Sequence, residues 1–198
     1  VIQIIPSFAL AGAEIMCENL IYALRDEGVD IIAVSLYDYH SPITKRLEDA
    51  GVDIRYLGKK KGLDLSMIRK LRTIFKTEKP DVIHTHLYAI KYAVLAGMQA
   101  KVKRRIHTVH NIAEKECGKF SRKLNKFFFK HANVIPVALS GLIQETIVKE
   151  YRINQKKVPV IFNGINVSKC KPKTDYAINE KIKILHIGRF SEQKNHKG

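Results

Sequence analysis

The chain has 198 residues, 45% of them hydrophobic, and 35 lysines and arginines against 19 acids give a formal net charge of +16. That length buries one good core but does not hold two complete domains, and the charge favours an anionic partner. Cys17, Cys117 and Cys170 are too few and too scattered for a disulfide framework, and no apolar run approaches the ~20 residues that cross a bilayer, so a cytoplasmic protein is expected.

In chain order, Val1–Ile5, Ile31–Leu36, Val82–His84, Ile106–Val109, Val134–Ala138 and Val158–Phe162 are short, mostly β-branched runs that read as strands buried on both faces. Val52–Leu57 is weaker and reads as an edge strand. Between them, Ala13–Asp26, Leu65–Lys76, Tyr88–Ala100, Lys119–His131 and Gly141–Glu150 have helical spacing. This alternation predicts an α/β fold, a Rossmann-like doubly wound parallel sheet, with functional loops at the carboxyl ends of the strands. The stretch around Pro172 is polar and poor in apolar residues. We therefore expect one domain over residues 1–169, a linker over 170–182, and the start of a second domain over 183–198, opening with a strand at Lys183–Ile187.

Four strand ends carry chemistry. After the first strand, Ala11-Gly12-Ala13-Glu14 opens a helix whose free N–H groups can face a phosphate; alternatively, Gly12 only permits a tight turn. A dinucleotide fingerprint would need three glycines, which disfavours nicotinamide and flavin. His84 and His86 leave one strand, and His107 and His110 end the next. No carboxylate or cysteine stands at ligand spacing beside them, and strand alternation divides the rings between faces, so a metal site is disfavoured. The preferred reading is His110 as a hydrogen-bonding group in a cleft, with Asn111 beside it, because a neutral imidazole both donates and accepts. After Gly188, Arg189 and Lys194 are spaced to converge on a diphosphate, one as a fork and the other as a point charge.

Between Lys101 and His131 ten lysines and arginines face only Glu114 and Glu116, a local charge of +8. On the helix Lys119–His131, Phe120, Leu124, Phe127, Phe128 and His131 form an apolar stripe, while Lys119, Arg122, Lys123, Lys126 and Lys130 share another face. Phe129 falls outside the stripe. Two readings stay open: an ordinary surface helix with a solvated lysine face, or a basic surface that inserts Phe129 into an anionic membrane.

The pieces Ala11-Gly12-Ala13-Glu14, Asp81-Val82-Ile83-His84-Thr85-His86, Thr108-Val109-His110-Asn111, Val160-Ile161-Phe162-Asn163-Gly164-Ile165-Asn166 and Gly188-Arg189-Phe190-Ser191-Glu192-Gln193-Lys194-Asn195, taken as a set and in order, resemble the family 4 retaining glycosyltransferases of GT-B fold. The resemblance implies two Rossmann-like domains across a cleft, the first mainly for the acceptor and the second for a nucleotide-sugar donor. It implies Gly12, Arg189 and Lys194 at the donor phosphates, His110 as the catalytic residue beside the transferred sugar, and His86, Asn111 and Asn163 in the acceptor and sugar cleft. It also implies transfer with retention to a glycan or lipid-linked acceptor, with no metal and no cofactor beyond the donor. Ala11 stands where a second Gly is usual and Asn166 where Asp is common. The family's paired glutamates would lie beyond Gly198, so no transfer is expected from this chain alone. The rival is a basic α/β module for nucleic acid, which is disfavoured because no stacking or groove-reading motif accompanies the charge.

Overall fold

Strands that are apolar on both faces must be covered on both faces, and parallel pairing with helical crossovers does this. The computed structural model describes residues 1–165, 167, 170–172, 184–186 and 190. It divides into two compact units, Val1–Ile165 and Asn166–Gly198. In the second unit Ile184 and Leu185 are exposed, and Arg189 and Lys194 lie outside the described residues.

In the first unit β1 (Ile2–Ile5), β2 (Ile32–Ser35), β3 (Asp53–Tyr56), β4 (Val82–His86), β5 (Arg104–Val109) and β6 (Val134–Ala138) form a parallel sheet in the order β3-β2-β1-β4-β5-β6. The expected doubly wound, Rossmann-like sheet is therefore present, and its winding reverses between β1 and β4. The helices are α1 (Gly12–Asp26), α2 (Pro42–Asp49), α3 (Ser66–Glu78), α4 (Ile90–Gln99), α5 (Ala113–Glu116), α6 (Lys119–His131) and α7 (Gly141–Tyr151). α1 and α2 bring Cys17, Ile21, Ile43 and Leu47 against Ile5 and Ala33. α3 and α4 bring Leu71, Phe75, Tyr92 and Ala93 against Ile4 and Val34. α6 and α7 bring Phe128, Phe129, Ile147 and Tyr151 against Val109 and Ala138.

Three local features differ from the sequence reading. α2 was not expected, yet Ser41 caps it by accepting from the amides of Ile43 and Thr44, and Pro42 occupies its first turn. The run Val158–Phe162 is no strand but a single bridge between Val160 and Ala138, because Pro159 has no N–H to extend the ladder. Most consequential is α6, which is rotated by about one residue from the expected face.

Phe129 is 5% exposed, stacked on His107 at 6.1 Å and edge-on to Tyr151 at 5.0 Å. Arg122 turns toward Glu150 of α7 at 3.3 Å. Phe129 therefore does not reach a membrane and Arg122 does not belong to an outward basic face; both expectations are corrected. The outward face instead carries Lys119, Phe120, Lys123, Phe127 and Lys130, with Phe120 at 82% and Phe127 at 49% exposure.

Phe129→Ala should lower stability by about 3–5 kcal/mol, as expected for a large aromatic removed from a packed core. Phe120→Ala should change it by no more than about 0.5 kcal/mol. Urea titrations measure both, and a small loss for Phe129→Ala would contradict its burial. The sheet also imposes a pH dependence. Burial lowers His84 to about 3, with the neighbouring His107 adding to the effect, and burial lowers His86 well below the ordinary histidine value. The unfolded chain binds protons at these rings from about pH 6.5 downward while the folded chain does not, so stability is complete above that pH and falls as the pH drops toward 3. Each ring contributes up to about 1.4 kcal/mol per pH unit. A urea midpoint that stayed constant from pH 7.5 to pH 5 would contradict the neutral burial of these rings.

Candidate functional site

Reversal of winding between β1 and β4 leaves a crevice at the carboxyl ends of these two strands, the usual ligand position in open α/β sheets. Gln3 of β1 pairs in register with His84 of β4, so the two residues share a face of the sheet, and His86 follows on the same face. The His84 and His86 ring centroids are 4.4 Å apart. His84 Nε2 lies 2.8 Å from Thr108 Oγ1 on β5. His86 is fully buried, with Nε2 2.9 Å from Gln3 Oε1 and Nδ1 3.1 Å from Nε2 of His110. Its complete burial corrects the expectation that His86 itself lines the cleft; it reaches the site through His110.

His110 is the first residue beyond β5 and is only partly buried. Its backbone N–H donates to Glu116 Oε1 at 3.2 Å, and its ring meets His86, so both main chain and side chain are held. Burial, aided by the neighbouring His107, lowers its pKa to about 4, which keeps the ring neutral at physiological pH. Glu116 Oε1 also lies 3.6 Å from His107 Nε2, on the opposite face of β5 from His84 and His86. His107 Nδ1 in turn faces Thr85 Oγ1 at 2.9 Å. Among the described residues no group of three or more His, Cys, Asp or Glu side chains converges as a metal-binding set.

Gly12, Asn111 and Asn163 also lie beyond the carboxyl ends of strands. Gly12 begins α1. A Cβ placed on it meets nothing within 4 Å, and its φ lies outside the left-handed region. Neither turn geometry nor packing requires a glycine there, so the tight-turn reading finds no support. Ala11 offers no side-chain cap, leaving the first N–H groups of α1 without one. The Asn111 side chain accepts from the Ile112 amide at 2.8 Å. Asn163 is exposed, two residues past Ile161, whose amide bonds the Ala138 carbonyl. Leu87, directly after His86, holds a left-handed φ of 52°, a strained conformation that turns the chain out of β4.

Sequence reasoning missed Gln3 and Glu116. Each had a visible signal: Gln3 is the one polar residue in Val1-Ile2-Gln3-Ile4-Ile5, and Glu116 is one of two acids in the basic segment.

Among solved structures, Anabaena HepE in complex with UDP and glucose superposes with a TM-score of 0.69 at 15% identity, over 84% of this chain and 45% of HepE. A glycosyltransferase from Rickettsia africae superposes with a TM-score of 0.66 at 18% identity, over 86% of this chain and 46% of that one. These likenesses establish the fold. In sequence the chain is 30% identical over 138 residues to the Escherichia coli UDP-Gal:alpha-D-GlcNAc-diphosphoundecaprenol alpha-1,3-galactosyltransferase, covering 65% of this chain and 34% of the enzyme. It thus spans about a third of that relative and less than half of the two solved structures. The model of Glycosyltransferase Family 4 matches residues 10–169, most of the described fold and all of the strand-end residues from Gly12 to Asn163, and the chain belongs to that family.

Proposed function

We propose that this chain is the acceptor-side part of a retaining glycosyltransferase that moves a sugar from a nucleoside-diphosphate donor to a lipid-linked or glycan acceptor. The observation that carries this reading is the neutral, doubly anchored His110 at the carboxyl edge of a family 4 sheet, one strand away from the reversal of winding. A neutral imidazole there orients a sugar by hydrogen bonding without adding charge beside the anionic diphosphate. The uncapped N–H groups at Gly12 suit the donor phosphates. Arg189 and Lys194 would hold the diphosphate and stabilise the charge that develops as it leaves, the work a metal does elsewhere. Asn111 and Asn163 would line the sugar and acceptor cleft, with residues 170–182 linking to the donor-binding domain that begins at 183. UDP is the favoured nucleotide, since HepE was solved with UDP and the E. coli relative uses UDP-galactose.

The acceptor's chemistry bears on α6. The E. coli relative acts on a diphosphoundecaprenol-linked sugar, and a polyprenol stays in the bilayer. The outward face of α6 combines Phe120 and Phe127 with Lys119, Lys123 and Lys130, with Lys126 at its edge, the composition of a helix that rests on an anionic bilayer. No helix among the described residues is long and apolar enough to cross a membrane.

Two measurements test these readings. With the donor-binding domain present, radiolabelled transfer from UDP-hexose to a polyprenyl-diphosphate sugar should occur, and His110→Ala should lower kcat about a hundredfold. Undiminished transfer by that variant would remove His110 from the mechanism. In co-sedimentation with phosphatidylglycerol vesicles, replacing Lys119, Lys123 and Lys130 by Gln should weaken binding by about two orders of magnitude, at roughly 1 kcal/mol per basic residue. The double variant Phe120→Ser, Phe127→Ser should also reduce it. Binding unchanged in both variants would contradict α6 as the docking surface.

A further inference from the structure

We infer that His86 and Gln3 are positioning residues which fix the proton of His110 on Nε2, so that His110 presents a bare Nδ1 to its ligand and accepts one hydrogen bond there. Proton directions are fixed along a row of three buried or half-buried groups. Gln3 Oε1 has only lone pairs, so His86 Nε2, 2.9 Å away, must carry the proton that joins them. A neutral imidazole carries one proton, and its complete burial keeps the His86 ring neutral. Its Nδ1 is therefore bare and can only accept. The group 3.1 Å from it, His110 Nε2, must then be the donor. His110 is neutral as well, so its single proton is used within the protein and Nδ1 is left as an acceptor.

This ordering has a chemical consequence. A histidine free to exchange tautomers can donate to a carbonyl or accept from a hydroxyl. With its proton directed inward, His110 accepts only, so it selects a ligand that brings an O–H or N–H to that point. It does not act as a general acid from the neutral state. The same ordering accounts for two buried polar residues on a strand face that packing alone would fill with Val or Ile: neither Gln3 nor His86 touches solvent, and Gln3 Oε1 and both His86 nitrogens bond in a line toward His110, while Gln3 Nε2 has no hydrogen-bond partner. The ligand being a sugar hydroxyl rests on the proposed function; the position of the proton does not.

Nitrogen-15 histidine NMR on this chain reads the proton directly. The expected result is a scalar coupling across the hydrogen bond between His86 Nδ1 and His110 Nε2, with the proton bonded to the His110 nitrogen and slow to exchange with water. A proton bonded to His86 Nδ1, or no coupling at all, would overturn the proposal without bearing on glycosyl transfer. In variants, His86→Phe should abolish the slow-exchanging proton, whereas His86→Asn, whose carbonyl can stand where Nδ1 stood, should restore it. If His86→Phe does not fold, the wild-type coupling still decides. For function, with the donor-binding domain present, His86→Phe should lower kcat about tenfold, because the His110 ring is then free to turn and exchange tautomers, and should have no further effect once His110 is alanine. An equal loss in the His110→Ala background would show that His86 does not act through His110. Absence of transfer from the wild-type protein would instead count against the proposed function.

Discussion

Pairing of β1 with β4 is the constraint on which the rest depends. Because the sheet winds one way from β1 to β3 and the other way from β4 to β6, these two strands are adjacent in space while 76 residues separate Ile5 from Val82 in the chain. Their register sets Gln3 beside His84 and leaves His86 two residues further on the same face. A slip of one residue would turn Gln3 to the opposite face, among the apolar residues beneath α3 and α4, and would orphan His86. The apolar residues Ile2 and Ile4 that specify the register for packing therefore also specify it for the site.

Burial of the imidazoles shows how the fold sustains this arrangement. Taking polar groups out of water costs free energy unless they find partners; those of His84 and His86 come from neighbouring strands and the loop after β5, while His107 Nε2 and Gln3 Nε2 have no hydrogen-bond partner. Thr108 serves His84, Gln3 serves His86, and His110 closes the row from the outside. Glu116 then fixes the backbone of His110, so the loop after β5 is tied to the sheet at both main chain and side chain. A ring held this way loses little freedom when a ligand arrives, which is the condition for a contact to favour a particular geometry.

Much of this was legible in the sequence because the relevant signals are local. Doubly buried strands announce themselves as β-branched runs, and alternation with helical segments gives the winding. His110 stood out because it follows such a run directly. What stayed hidden was tertiary. Nothing near Gln3 in sequence marks His86 as its partner, and Glu116 reaches His107 and His110 only because the short helix α5 folds back across the strand end. α2 was missed because eight residues give too short a period to read, although Ser41-Pro42 was a capping signal.

α6 shows a different failure, with its own physical cause. Four phenylalanines within ten residues cannot all share one face, so hydrophobic periodicity admits more than one stripe. The choice is made by what lies opposite: His107 and Tyr151 leave a slot that an aromatic ring fills, and Phe129 stacks on one and meets the other edge-on. With Phe128 and Phe129 inward, the 100° step of the helix forces Phe120 and Phe127 outward among the lysines. Exposing two large aromatics costs free energy that a purely structural helix would avoid with polar residues. Their presence beside a basic face is therefore easier to understand if that face meets a surface of its own, apolar in its interior and negative at its rim.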